Sequence, residues 1–330
     1  MASIRCHTVP QFYLESFLAA GEKCFWVYDK KDGSTRPQQP INTGVIGDYY
    51  LSHPDENGKK DKRMEEFLSQ WEGKAKPIIE KWGNPPYQID KEEIPIMALF
   101  LSFLHTRVPS SVNNVKDIHI AGVDHLLDGL KESLRTPEGQ KREYERYLKN
   151  AEDETPLSLE EFVKMAAEYW EAVDIEVDEK YMVGWSLSVS EAICRSMKDM
   201  RWSIRSLKEG KFFVTSDTPL SAISINKGGQ LIIGGGLRSP CMELAFPISP
   251  KACLLLSKGP VLSNFIKHSF VDEINRRTIC MANQYVISPF QSNRIKKMVN
   301  DYSYTFQRSR IDPKLIKDRL QKQGIEWLKD

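Results

Sequence analysis

Glu191-Ala192-Ile193-Cys194-Arg195-Ser196-Met197-Lys198-Asp199-Met200-Arg201-Trp202-Ser203-Ile204 contains the change of period that decides the fold class. Up to Lys198, apolar residues recur at three- and four-residue spacing, the repeat of a helix with one buried stripe. Beyond Met200 the chain divides into short β-rich runs separated by Gly, Pro and Ser clusters. Working upstream, the helical spacing predicts helices near 62–81, 91–106, 112–134, 138–149, 158–172 and 178–198. Pro77 is expected to kink the first, and Pro109, Pro137 and Pro156 to separate later ones. Downstream, strand-like runs at 202–204, 212–215, 222–225, 231–233, 244–246 and 253–256 precede a helix near 260–281. A strand at 284–288 and a final helix from about 291 follow.

The N-terminal part has its own punctuation. Thr8-Val9-Pro10-Gln11 has the form of a capping box, with Thr8 placed to accept from the Gln11 amide and Pro10 tolerated in the first turn. Phe12, Leu14, Phe17 and Leu18 supply apolar positions, Gly21 a stop, and residues 24–28 a strand. Asp32-Gly33 signals a turn, and residues 37–58 read as irregular with a short strand near 49–51. The expected fold is α+β, with a mainly helical N-terminal two-thirds packed on a mixed or antiparallel sheet from the C-terminal third. Residues 1–290 are expected to form a single domain, helical over about 61–198 and sheet-rich over about 200–290. Residues 291–330 are expected to form a C-terminal helical extension. The absence of regular βαβ alternation argues against a dinucleotide-binding sheet.

Composition narrows the class. Apolar residues make up 41% and charged residues 28%, ordinary globular usage, and no stretch reaches the roughly 20 apolar residues that cross a bilayer. The apolar run 94–104 contains Pro95 and ends at His105-Thr106-Arg107, which reads as a buried helix. No secretion signal is evident at the N-terminus, so a cytoplasmic location without a membrane partner is expected. The six cysteines are scattered and read as reduced, buried small hydrophobes, because structural zinc favours locally paired ligands. With 46 basic against 45 acidic residues, no general field attracts nucleic acid or membrane. Charge is nevertheless uneven: residues 152–179 hold eleven acids and one base, residues 294–322 nine bases and three acids. Solvated helix faces explain both runs; a basic nucleic-acid groove, with Tyr302, Tyr304 and Phe306 for stacking, is the alternative.

Few elements carry chemistry. The glycines around 228–236 lack the order of a phosphate loop and read as turns flanking a strand. His119 and His125 are six apart and point to different sides of a helix, which disfavours a shared metal. No nucleophile elbow, zincin helix or kinase signature occurs. What remains is His7 before the first helix, Arg107 closing an apolar helix where its head group needs a partner, and Asp217 directly after a strand.

The run His7-Thr8-Val9-Pro10-Gln11-Phe12-Tyr13-Leu14, continued to Phe17, resembles the opening motif of the uncharacterised, mostly bacterial family catalogued as domain of unknown function 4238. Arg107-Val108-Pro109, Ser216-Asp217-Thr218-Pro219, Phe246-Pro247-Ile248-Ser249-Pro250, Asn275 and Tyr285-Val286-Ile287-Ser288 match its later motifs in the same order. The resemblance spans roughly residues 5–290 and supplies no reaction.

It implies that His7, Gln11, Arg107, Asp217 and Asn275 meet in one pocket. Under that expectation His7, Asp217 and Arg107 are the catalytic candidates, and Gln11 and Asn275 the substrate-binding ones. Each has a structural account as well: Gln11 as a capping partner, Arg107 with Asp217 as a buried ion pair, Asn275 as a helix-to-sheet bond and His7 as a satisfied histidine. The leading functional expectation is hydrolysis of a phosphodiester or nucleotide, nuclease-like, in a bacterial defence or toxin system. In it His7 is general acid or base, Asp217 base or ligand to a divalent metal, and Arg107 with the first helix's amides stabilises charge. The alternative is a non-catalytic sensor or interaction module that binds an anionic ligand such as a nucleotide.

Overall fold

The structure, a computed structural model, describes residues 4–51, 60–150, 155–172, 176–207, 210–226, 229–237, 239, 241–265 and 269–302. The chain opens with strand β1 (Arg5–His7), a short helix α1 (Gln11–Glu15), the hairpin β2 (Phe25–Asp29) and β3 (Thr35–Gln38), and β4 (Val45–Gly47). Helices follow: α2 (Arg63–Trp82), α3 (Ile94–Arg107), α4 (Pro109–Ser133), α5 (Pro137–Asn150), α6 (Leu159–Ala172), α7 (Glu179–Ser188) and α8 (Ser190–Lys198). Next come β5 (Arg201–Ser206), β6 (Thr215–Ser216), β7 (Ser221–Ile225), β8 (Leu231–Ile233), β9 (Met242–Ser249) and β10 (Ala252–Lys258). Helix α9 (Phe270–Met281), β11 (Tyr285–Ser288) and α10 (Asn293–Tyr302) complete the described chain. The fold is α+β, with the longer helices ahead of most strands. No helix among the described residues is long and apolar enough to cross a membrane.

Every strand pair among the described residues is antiparallel. A five-stranded sheet has the order β5-β10-β9-β7-β8, a four-stranded sheet β3-β2-β11-β6, and β1 pairs with β4. The four-stranded sheet joins the N-terminal hairpin to two C-terminal strands, so the sheet region is not confined to the C-terminal third. Strands β9 and β10 are buried along nearly their whole length, and their alternating side chains enter two separate clusters, as the pleat requires. Leu244, Phe246, Leu254 and Leu256 join a core with Tyr13, Leu14 and Phe17, with Trp82 of α2 and with Phe100, Leu101 and Leu104 of α3. Ala245, Cys253 and Leu255 meet Val271 and Ile274 of α9 on the other face.

Local signals explain the helices that matter for the site. Helix α3 is apolar around most of its circumference and packs against α2 and α8. It ends at Arg107 because Val108 is extended, at φ −68° and ψ 143°, the conformation forced on a residue preceding proline. The Thr106 hydroxyl lies 2.8 Å from that of Ser190, and the Ser186 hydroxyl donates to the Thr106 carbonyl at 2.6 Å. The helix expected over 178–198 is two, separated at Val189 between these two serines.

The Thr8 capping box does not form. Helix α1 has no side-chain cap; the Thr8 amide and hydroxyl both donate to the Gly44 carbonyl, at 2.8 and 3.1 Å. The strand pair β1–β4 outcompetes the cap for Thr8, and Gly44 reaches it through a positive φ of 65° that glycine adopts without strain. Strand β4 lies at 45–47, ahead of the position 49–51 expected for it. Tyr13, fully buried, shares a hydrogen bond with the Thr215 hydroxyl at 2.6 Å, donates to the Pro247 carbonyl at 2.8 Å and stacks on Phe246. Ser16 donates to the Ile248 carbonyl at 2.8 Å. Elements separated by more than 200 residues are thereby fastened together at α1.

By contact density the described chain divides into two compact units, one holding the residues up to Asn113 and those from Lys180 onward, the other Asn114–Glu179. In the second, α5 packs on α6 through stacked Tyr147 and Phe162, and buried Glu143 accepts from Ser133. The basic C-terminal run falls mostly outside the described residues, as do Tyr304 and Phe306.

Candidate functional site

A cavity of about 300 Å³ in the first unit is lined by His7, Gln11, Phe12, Glu15, Tyr50, Glu65, Leu68, Ser69, Glu72 and Arg107. Four elements build it. Strand β1, registered so that His7 faces Val45, delivers the imidazole, and the Tyr50 hydroxyl donates to the His7 carbonyl at 3.1 Å. Helix α1 supplies Gln11 and Glu15, one turn apart and bonded to each other at 2.8 Å. Helix α2 supplies Glu65, Leu68, Ser69 and Glu72, whose three- and four-residue spacing puts them on one face.

The C-terminus of α3 contributes Arg107, whose side chain is 1% exposed. Its Nη1 donates to Glu72 Oε1 at 2.6 Å. Its Nε and Nη2 have no hydrogen-bond partner among the described residues. These two atoms form the edge of the guanidinium that binds an oxyanion with two parallel hydrogen bonds. A buried guanidinium stays charged, so each unsatisfied donor is unfavourable.

His7 and Glu65 are displaced in opposite senses. Burial lowers the His7 pKa, with nearby Arg5 and Arg107 adding to the effect against a hydrogen bond to the Ile41 backbone and the Glu72 charge. Near neutral pH the ring is therefore uncharged. Its Nε2 is buried without a partner among the described residues. When the ring proton is on Nδ1, Nε2 carries the lone pair. Burial raises the Glu65 carboxyl, and Glu72 raises it further, against Arg107 and a hydrogen bond from Cys6. Its Oε2 is also without a partner among the described residues.

Of the five residues expected to meet, the structure places His7, Gln11 and Arg107 on this cavity; Asp217 and Asn275 do not line it. Asp217 Oδ1 accepts the Asn283 amide at 2.8 Å, and Oδ2 accepts those of Gln284 and Tyr285 at 2.7 and 3.0 Å. That carboxylate fixes the entry into β11. Burial nonetheless pushes its pKa up, against those three bonds and Lys30. Lys30 donates to the Ile279 and Ala282 carbonyls, each at 2.8 Å, closing the C-terminus of α9. Asn275 accepts the Val214 amide and donates to the Phe212 carbonyl, both at 3.0 Å. The ion partner of Arg107 is Glu72 rather than Asp217, and α1, at five residues, is too short to present a substantial dipole to an anion.

Glu65 and Glu72 are the site residues that motif reading missed. A signal existed: residues 65, 68, 72, 75, 79 and 82 form one helical stripe, and Leu68, Ala75, Ile79 and Trp82 on it are buried. Acids on an otherwise apolar stripe need a partner or a ligand.

A separate group of buried charges does not line the cavity. Arg277, Glu243 and Glu273 are fully buried, with Arg277 Nη1 2.8 Å from Glu243 and Nε 3.2 Å from Glu273. Among the described residues no group of three or more His, Cys, Asp or Glu is arranged to hold a metal ion. A family model described as "Protein of unknown function (DUF4238)" matches residues 5–291. No curated protein and no solved structure matches the chain.

Proposed function

We propose that this chain, which belongs to the DUF4238 family of proteins of unknown function, binds a small ligand through an oxyanion held on the Nε–Nη2 edge of Arg107. One observation carries the reading: a guanidinium 1% exposed lines a 300 Å³ cavity with one nitrogen paired to Glu72 and two donors unsatisfied among the described residues. A carboxylate or phosphoryl group on that edge satisfies both donors at once. Neutral His7 offers its Nε2 lone pair to a ligand hydroxyl, amine or water. The cavity volume lies at the small end of the range for ligand sites, which favours a compact molecule.

Calorimetric titration of the purified chain with inorganic phosphate, nucleoside monophosphates and small carboxylates tests the reading. Binding of at least one class, weakened roughly ten-fold or more in Arg107→Lys, is expected, because lysine supplies charge without the two-pronged edge. Binding unaffected by Arg107→Lys overturns it.

A hydrolytic reading is favoured by one feature, an imidazole whose buried Nε2 has no partner among the described residues in the same cavity as a guanidinium with unsatisfied donors, the residue types that pair a general base with charge stabilisation. With Asp217 committed to three backbone amides, the acid–base partner on the cavity is Glu65. Phosphodiester or nucleotide turnover that His7→Gln abolishes supports this reading; turnover that survives in His7→Gln excludes it.

A further inference from the structure

The charges around Arg107 point to more than an anion. Among the described residues, the cavity lining holds one guanidinium and three carboxylates, Glu15, Glu65 and Glu72, and no lysine or second arginine. Glu72 is engaged by Arg107 and Glu15 by Gln11, whereas Glu65 Oε2 is a buried acceptor without a partner among the described residues. His7 Nε2 is a second buried polar atom without a partner among the described residues, and in the Nδ1–H tautomer it accepts. The site therefore presents a two-donor edge for an oxyanion and, across the same small volume, acceptors for a donor-rich cation. A nucleotide with several phosphate charges meets net repulsion from the carboxylates. A ligand that carries one anionic and one cationic group satisfies both sets.

We infer that the ligand is an amino-acid-type zwitterion, its carboxylate on the Nε–Nη2 edge of Arg107 and its ammonium on Glu65 Oε2 and His7 Nε2. The inference rests on the oxyanion reading above and adds the cationic half. Phe12 and Leu68 line the same cavity and give the ligand's own side chain an apolar wall. With a protonated amine beside it, Glu65 is held as a carboxylate, which removes the unfavourable burial of an unpaired acid.

Calorimetry and thermal-shift measurements on the full chain with each of the common amino acids, their N-acetyl derivatives and their carboxamides test the assignment, with phosphate and nucleoside monophosphates as further probes. At least one free amino acid is expected to bind. Acetylation of its amine, or amidation of its carboxylate, should weaken binding roughly thirty-fold or more, the effect of removing one partner of a buried charge pair. Glu65→Gln should reduce the discrimination against the N-acetyl form while retaining carboxylate dependence. If the N-acetyl form, phosphate or a nucleotide binds as well as the free amino acid, and does so through Arg107, the zwitterion assignment falls and the oxyanion reading stands. If none of these probes binds, or binding is indifferent to Arg107→Lys, both fall.

Discussion

Arg107 and Glu72 meet at 2.6 Å across the wall of the cavity, yet the pair is asymmetric: the Arg107 side chain is 1% exposed and that of Glu72 25%. The carboxylate keeps part of its hydration while the guanidinium relies on the protein for its partners. Removing the arginine should therefore be tolerated better than removing the glutamate, which leaves a buried cation with all its donors unsatisfied. Chemical denaturation is expected to show Glu72→Leu as the more damaging change, by about 3 kcal/mol or more, and Arg107→Leu as milder. The double variant should be less destabilised than the sum, with a coupling of about 1–3 kcal/mol. Equal effects of the two single changes would contradict this asymmetry.

His7 gives the cavity a pH signature. Its folded pKa lies below the unfolded value of 6.5, chiefly through burial, so the folded chain binds fewer protons than the unfolded chain as the pH falls through that value. Its contribution is fully present above 6.5 and is lost as the pH drops through 6.5 and on through the lower folded pKa. The slope from this group is less than about 1.4 kcal/mol per pH unit. Urea melts at a series of pH values should show His7→Gln losing less stability than the parent chain on acidification below 6.5. Raised Glu65 and Asp217 act in the opposite sense at lower pH, so the difference between the two proteins, not either curve alone, isolates His7.

Asp217→Asn should act on stability and leave the cavity intact. The amide retains one acceptor oxygen where the carboxylate engages three backbone donors, and its NH₂ group then faces donor groups. A loss of about 2–5 kcal/mol is expected from denaturant melts, with Arg107-dependent ligand affinity unchanged within a factor of about two. Destroyed affinity in a folded Asp217→Asn variant would tie this residue to the site after all.

Arg277→Met leaves Glu243 without its cation in the interior. Arg276 still holds Glu273 through bonds of 2.8 Å, and Ser263 still donates to Glu243 at 3.1 Å, but Glu243 loses its cation. Destabilisation of about 3–5 kcal/mol is expected. Adding Glu243→Gln should recover part of it, because the amide is neutral. A thermal melt of the pair of variants checks both statements, and a double variant no more stable than Arg277→Met alone would contradict the second.

The local content of the fold was legible because it depends on neighbours in sequence. The spacing that predicts a helix near 91–106 meets α3, and the expected strand at 284–288 meets β11. Val108 before Pro109 ends α3 by backbone sterics alone. The failures share one cause. Thr8 fits a capping box until Gly44, 36 residues away, takes both its amide and its hydroxyl. Asp217 and Arg107 look like an ion pair until β11 presents three amides to one and α2 a carboxylate to the other.

By itself the sequence determined the α+β class, the β-rich character of the C-terminal third, the family and the presence of His7, Gln11 and Arg107 in ordered motifs. Only the tertiary structure decided which of these side chains share a cavity and that Glu65 and Glu72 complete it. The physical reason is that burial and electrostatic partnership depend on distances between segments far apart in the chain. A guanidinium becomes a candidate ligand site only once folding has paired one of its edges and left the other without a partner.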